Sequence, residues 1–77
     1  MKYVFKMPGT DEYFLLKNVQ SFRLAGKTKE YPNYRVFITI IENNDKRYVW
    51  HTFKSKASGQ NFCAKLAKAI ERVWEHG

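Results

Sequence analysis

The sequence predicts a small α+β domain, in which an antiparallel meander of four to five strands is followed by one C-terminal helix packed on one sheet face. Two observations predict this fold class. Residues 3–53 fall into five short runs rich in β-branched and aromatic side chains, separated by turn residues. After residue 55 the apolar side chains recur every three or four residues, which is the spacing of one helical face. All 77 residues belong to one small basic domain, with no repeat and no linker.

Three short strands are predicted ahead of the central loop, at residues 3–7, 12–17 and 19–25. The turn between the first two contains Pro8, which presets one backbone angle, Gly9, which permits positive φ, and Asp11, which can bond its own backbone. Asn18 is a mild break between the second and third strands. A polar loop over residues 26–33 then leads to the longest strands.

Those longest strands, residues 34–42 and 46–53, form a hairpin with two apolar faces. The first face is aliphatic apart from its last ring and carries Val36, Ile38, Ile40, Val49 and Phe53. The second face is aromatic and is edged by basic residues: Arg35, Phe37, Ile41, Tyr48, Trp50 and Lys54. An antiparallel sheet normally has one dry face and one solvated face. A second face that is aromatic and basic therefore indicates a binding surface.

The hairpin register is predicted from charge. We expect a two-residue turn at Asn44 and Asp45, or a four-residue loop around it, because either places Glu42 opposite Arg47. Opposite charges across a ladder contribute about 0.2–1 kcal/mol. A tight turn at Asn43 and Asn44 would place Glu42 opposite Asp45, which is less favourable. A slip of one residue would exchange the two faces of one strand.

The C-terminal helix is predicted to begin after Ser55, whose side chain can accept a hydrogen bond from the first turn, with Ser58 as the alternative N-cap. It ends near Glu75 and covers the aliphatic side of the hairpin. Gly59 costs about 1 kcal/mol inside a helix relative to alanine, and it would let the helix approach the sheet closely. The apolar helix face comprises Gly59, Phe62, Cys63, Leu66, Ile70, Val73 and Trp74.

Composition limits the classes of function. Fourteen Lys and Arg against seven Asp and Glu give a net charge of +7, which favours polyanionic partners or solubility alone. The single cysteine, Cys63, excludes an internal disulfide and fits a reducing compartment. The first residues lack the apolar run of a signal peptide, and no segment is long and apolar enough to span a membrane. We expect a cytoplasmic protein with no membrane partner.

The sequence contains no pattern typical of catalysis. His51 falls on the aliphatic face, His76 is next to the chain end, and Cys63 lies on the apolar helix face. The acidic residues are scattered without metal-ligand spacing, and there is no glycine-rich phosphate loop. We therefore expect no enzymatic activity, no catalytic residue, no metal and no cofactor.

Eight residues are predicted to contact nucleic acid or another partner. The rings stack on bases and the cations hold phosphates: Arg35, Phe37, Tyr48, Trp50, Lys54, Lys65, Lys68 and Arg72. Arg23 or Lys17 could add a further cation beside the rings. The three helical cations could equally form an ordinary solvated surface. The sheet could also curl so that its outer rings pack with Tyr3, Phe5 and Phe14, or two chains could bury those rings in a homodimer.

Two likenesses concern the layout of the chain. The chain resembles short bacterial and phage proteins in three features. These are a segment such as residues 16–22 ahead of a hairpin, a Phe-x-Ser step at Phe53 and an Ala-Ile pair at Ala69. Strands followed by a C-terminal helix resemble single-strand-binding transcriptional coactivators, which implies the fold and transfers no activity. We expect a non-enzymatic nucleic-acid-binding protein with single-strand or backbone-dominated contacts. The alternative is an interaction or inhibitor module, such as a phage or mobile-element accessory protein, that dimerises or caps a larger partner through the same face.

Overall fold

The computed structural model describes residues 4–76 and confirms the α+β fold class. Five strands form two antiparallel sheets, and one C-terminal helix packs against them. In chain order the elements are β1 (Val4–Lys6), β2 (Tyr13–Leu15), a 3₁₀ turn (Leu16–Asn18), β3 (Val19–Ala25), β4 (Tyr34–Glu42), β5 (Asp45–Phe53) and α1 (Lys56–His76). Tyr3, which the first predicted strand includes, lies outside the described residues.

The meander is divided into two sheets, which the sequence did not predict. Strands β1 and β2 pair only with each other, while β3, β4 and β5 form a separate sheet with β4 at its centre. The predicted second strand is wrong at its end, because Leu16 and Lys17 belong to the 3₁₀ turn. The Val19 N–H donates to the Leu16 carbonyl and closes this turn. The chain thereby changes direction before Val19 begins to pair with β4.

The predicted hairpin register is wrong by two residues. The turn is formed by Asn43 and Asn44, with φ of 51° and 69°, and Glu42 pairs with Asp45. Asparagine adopts left-handed backbone more readily than most residues, and two such residues make the turn that best matches the twist of the strands. The like-charged pair costs little because Asp45 is exposed at the sheet end. A shift of two residues leaves every side chain on its predicted face.

Helix α1 covers the inner face of the three-stranded sheet, as predicted. Val36, Ile38 and Ile40 of β4 are fully buried beneath Leu66 and its neighbours on the helix. Phe53 of β5 also contacts the helix, because its ring centroid lies 5.5 Å from that of Phe62 in a tilted contact. These contacts make one continuous core between the sheet and the helix.

The start of α1 follows the predicted cap. The Ser58 N–H donates to the Ser55 hydroxyl oxygen over 3.1 Å, so Ser55 is the N-cap. Gly59 is buried against the sheet, and a Cβ at this position would lie 2.7 Å from Cδ1 of Leu24. The glycine therefore permits the close helix–sheet approach that the sequence predicts.

The predicted apolar helix face is wrong at Trp74, whose side chain is 82% exposed. It follows Leu66 by eight residues, and at about 100° per residue it is rotated by about 80° from it. That rotation takes Trp74 to the margin of the apolar stripe in the last turns of α1. Ile70 and Val73, closer to the centre of the stripe, are half-buried.

The β1–β2 hairpin packs into the same core and not against the outer face of the sheet. The ring of Phe5 lies 5.7 Å from that of Phe14 and 5.3 Å, edge on, from that of Phe62. Phe14 and Met7 are buried in this cluster. The alternative in which Phe5 and Phe14 build a second core with the outer rings of the sheet is therefore wrong.

The two edges of the three-stranded sheet are irregular or partly covered. On β3 the ladder is interrupted at Gln20, which lies between the paired residues Val19 and Ser21 and forms a β-bulge. On β5 Arg47 forms an ion pair with Glu12, the residue that immediately precedes β2. A Cβ at Gly9, in the β1–β2 turn, would lie 3.3 Å from Cε1 of His51 on β5.

Leu66→Ala should lower the free energy of unfolding by about 2–5 kcal/mol, because it leaves a cavity beneath the buried strand β4. The measurement is urea denaturation followed by circular dichroism. Lys68→Ala, an exposed change on the same helix, should cost less than about 0.5 kcal/mol. Equal small effects from both substitutions would contradict a core centred on Leu66.

Alanine substitutions in the hairpin turn should distinguish the two registers. Asn43→Ala should destabilise the protein by about 1–2 kcal/mol, because alanine is disfavoured at positive φ. Asp45→Ala should have little effect, because Asp45 is already extended and its loss removes a like-charged pair. The free energies come from the same urea titrations, and the reverse ranking would support the turn at Asn44 and Asp45.

Candidate nucleic-acid interface

The outer face of the three-stranded sheet, opposite α1, is organised in rows by the strand register. Residues paired across neighbouring strands share a face. Three outward rows result, each given in the order β3, β4, β5: Ala25, Arg35 and Thr52; Arg23, Phe37 and Trp50; Ser21, Thr39 and Tyr48. None of these positions holds an acidic side chain. These rows therefore combine aromatic, hydroxyl and cationic groups with one small aliphatic side chain, Ala25.

Trp50 and Tyr48 are the most exposed rings of this face, which is the face predicted for them. Their exposed fractions are 57% and 67%. They are two residues apart on β5, so their positions along the strand differ by about 6.8 Å. This separation is twice the rise of about 3.4 Å between stacked nucleotides in one strand of B-form DNA. Bases resting on the two rings would therefore belong to an extended, unstacked strand.

Phe37 is placed differently from the other two predicted rings. It is half-buried, and the guanidinium carbons of Arg23 and Arg35 lie over its ring at 4.8 and 5.0 Å from the centroid. The Arg35 guanidinium also lies 3.8 Å from the Tyr31 ring centroid. Each such contact contributes about 0.5–1 kcal/mol at an exposed site. Phe37 thus supports arginines and has no open ring comparable to Trp50.

The Arg35 side chain is held by rings alone. Within residues 4–76 its guanidinium takes part in no hydrogen bond or ion pair with protein, and its Nε is covered without a hydrogen-bond partner. A buried donor without an acceptor costs about 1–3 kcal/mol.

Two shallow depressions flank Trp50. One, of about 270 Å³, lies between β5 and the β1–β2 turn and is lined in part by Pro8, Thr10 and Tyr48. The other, of about 100 Å³, is lined by Tyr31, Pro32, Asn33, Arg35, Trp50 and Thr52. Both are smaller than the 300–1,000 Å³ typical of sites for drug-sized ligands. They suit flat groups laid against the sheet more than an enclosed ligand.

The remaining predicted cations do not join this face. Lys54 is exposed in the connection between β5 and α1. Lys65, Lys68 and Arg72 are exposed on the side of α1 that faces away from the sheet. Of the eight predicted residues, four thus lie together on the outer face, three lie on the opposite side of α1, and Lys54 lies in the connection between β5 and α1.

Two members of the outer face, Arg23 and Tyr31, are absent from the predicted set. Arg23 alternates with the half-buried Phe22 and Leu24 on β3, but its contact with Phe37 depends on the pairing of β3 with β4. Tyr31 lies in the 26–33 loop, and nothing local indicates that it returns over Arg35. Arg23, like Lys17, is expected from the sequence only as a further cation beside the rings, whereas Tyr31 gives no sequence signal.

The histidine and cysteine expected to be non-catalytic are packed into the fold. His51 is half-buried on the inner side, with its ring 5.1 Å from that of Phe53 in an edge contact. Burial raises the pKa of the Cys63 thiol, which reduces its thiolate fraction. In the part of the chain that the structure describes, no three His, Cys, Asp or Glu residues cluster as metal ligands do.

Comparisons with models of protein families, with curated proteins and with solved structures find no significant match to the chain. Between residues 4 and 76, no helix combines the length and apolar character needed to cross a membrane. Inferences about function therefore start from the geometry and charge of the outer face.

Cys63 should react with iodoacetamide more slowly in the folded protein than in the urea-unfolded chain at pH 8, because its raised pKa leaves less thiolate. The difference should narrow as the pH rises above the folded pKa. Mass spectrometry of quenched samples gives both rates. A folded rate equal to or above the unfolded rate would contradict a thiol shielded on α1.

Proposed function

We propose that this chain is a non-enzymatic nucleic-acid-binding protein that holds a single strand across the outer face of its three-stranded sheet. The observation that carries the proposal is the pair of exposed rings, Trp50 and Tyr48, on a face that also presents Arg23 and Arg35. Stacking of bases on aromatic rings contributes about 1–3 kcal/mol per base, whatever the base. Cations beside the rings supply the attraction to phosphates.

The spacing of the rings favours single strands over duplex. A duplex keeps its bases stacked and paired, so it cannot lay successive bases flat on Trp50 and Tyr48. An extended strand can do so, because its bases are free to separate to the spacing of alternate strand residues. Phosphates between them would run beside Arg23 and Arg35 or towards Lys54 at the end of β5.

The net charge of +7 supports the same ligand class. Lys27 and Lys29 are exposed in the loop ahead of β4, and the Lys27 ammonium lies 5.3 Å from the centroid of the Tyr34 ring. Each phosphate neutralised releases counterions, so the affinity should fall steeply with salt. DNA and RNA share these contacts, and either satisfies the proposal.

The cations of α1 are expected to contribute less to strand binding than those of the outer face. Lys65, Lys68 and Arg72 face away from the sheet in a protein whose smallest dimension is 21 Å. At physiological ionic strength the Debye length is about 8 Å, so their field is largely screened at the outer face. A strand bound to Trp50 would contact them only if it wrapped around the molecule.

We also propose a cytoplasmic location, which is supported by a free cysteine and the absence of disulfides among the described residues. A nucleic-acid ligand is compatible with that compartment. The competing occupant of the outer face is protein, either a second copy of this chain or a larger partner, and it is tested together with the strand.

Trp50→Ala should weaken binding of a mixed-sequence single strand of about 12 nucleotides by about 5- to 150-fold, the equivalent of one lost stacking contact. The matched control is Trp74→Ala, which removes the same exposed ring from α1 and should leave the affinity unchanged. Binding is measured by anisotropy of a labelled oligonucleotide at low salt and repeated as the salt is raised. In a Trp74→Phe background, ligand should also quench the fluorescence of Trp50.

Further controls separate the surfaces and the competing occupant. Replacing Lys65, Lys68 and Arg72 together with alanine should weaken binding less than replacing Arg23 and Arg35 does. Absence of binding at low salt by the wild-type protein would overturn the nucleic-acid function. Sedimentation showing a dimer that Trp50→Ala returns to monomer would assign the outer face to a second copy.

A further inference from the structure

We propose that the bound strand runs parallel to β5, over a footprint of about four nucleotides that ends at Lys46. This inference rests on the proposed function and adds to it a direction, a length and a further phosphate contact. The footprint is the outward row of β5, which comprises Lys46, Tyr48, Trp50 and Thr52. The ligand class is an unpaired oligonucleotide of at least that length.

The outward row of β5 is open along its whole length. All four of its side chains are exposed, and the two rings are its central members. The outward side chains of the neighbouring strand β4 are half-buried instead. There the guanidinium carbons of Arg23 and Arg35 lie over the ring of Phe37. A strand perpendicular to β5 would therefore meet one open ring, whereas a strand parallel to it meets both Tyr48 and Trp50.

The length of the row sets the footprint. From Lys46 to Thr52 the row spans about 20 Å, at about 3.4 Å for each residue of a strand. Its four side chains are about 6.8 Å apart, and an extended strand with unstacked bases can place one nucleotide at each. The two internal nucleotides then lie on Tyr48 and Trp50.

The charges on the two sides of β5 determine where the phosphates run. Arg23 and Arg35 lie on the side of β3 and β4, and no carboxylate of the described chain pairs with either of them. On the opposite side the cation Arg47 is already paired with Glu12. Phosphates are attracted more strongly to unpaired cations, so the sugar-phosphate chain should follow the side of the two arginines.

Lys46 marks one end of the footprint. It is exposed opposite Ile41, and within residues 4–76 it forms no ion pair. The hairpin turn beyond it is flanked by Glu42 and Asp45, whose carboxylates repel phosphates. A strand that reaches Lys46 therefore gains one phosphate contact there and would lose affinity by continuing over the turn.

The direction is tested with two tetranucleotides of equal charge and composition. Each carries two thymines and two abasic positions, with the thymines adjacent at the centre in one and separated at the ends in the other. Tyr48 and Trp50 are neighbours in the row, so only the adjacent thymines can cover both rings in any register. The adjacent strand should bind about 5- to 150-fold more tightly, the equivalent of one stacking contact. Binding is followed by quenching of Trp50 in a Trp74→Phe background.

The contact at Lys46 is tested by the salt dependence of binding to an oligothymidylate of 12 nucleotides. Lys46→Ala should reduce the slope of log K against log salt by about 0.7, the value for one phosphate of a single strand. Lys68→Ala removes the same charge from an exposed position on α1 and should leave the slope unchanged. The thermal midpoints of both variants show whether each remains folded.

The length is tested with oligothymidylates of increasing size. Affinity should rise steeply up to about four nucleotides and then slowly, as longer strands only add equivalent registers. An equally steep rise well beyond that length would overturn the bounded footprint.

Each remaining outcome is decisive. Equal binding of the two tetranucleotides would overturn the path along β5 while leaving single-strand binding intact. A preference for adjacent thymines with an unchanged slope in Lys46→Ala would overturn the end at Lys46. Failure of the 12-nucleotide strand to bind at low salt would overturn the path and the proposed function together.

Discussion

The burial of one side of β4 beneath α1 is the constraint on which the rest of the structure depends. Val36, Ile38, Ile40 and Leu66 are the four most completely buried side chains of the described chain. Side chains alternate along a strand, so sealing these positions directs Arg35 and its alternate neighbours to the other side. The helix therefore determines which residues a ligand can reach, although it contributes none of them.

The alternation of side chains along the strands and the spacing of apolar residues along the helix are local properties of the sequence. Features that depend on these two patterns could therefore be predicted. These patterns gave the fold class, the helix start at Ser55 and the two faces of the hairpin. The register was predicted wrongly because a cross-strand ion pair was weighted above the backbone preference of Asn43 and Asn44. The error moved the pairing by an even number of residues, and for that reason the face of Trp50 was still predicted correctly.

The parts that sequence reasoning missed depend on contacts between distant segments. The division into two sheets follows from the turn at Leu16, whose side chain is buried in a core that forms only when α1 is in place. The position of Tyr31 over Arg35 likewise requires the loop to fold back on β4. Neither property is encoded in a periodic pattern, so neither could be read from the residues around it.

The outer face contains side chains that are held in place by ring contacts and others that are open to solvent. Phe37 and Tyr31 hold Arg23 and Arg35 in defined positions, which would reduce the entropy lost on binding the proposed strand. Trp50 keeps its ring accessible beside them.

The bulge at Gln20 has a consequence for the behaviour of many copies of this chain together. An uninterrupted edge strand offers a template on which further strands can add, and this is a common route to fibrous aggregates. On β3 the unpaired Gln20 breaks that template near its start, and on β5 the ion pair of Arg47 with Glu12 places charge along the opposite margin. Both features are of the kind that disfavours the addition of further strands at an exposed sheet edge.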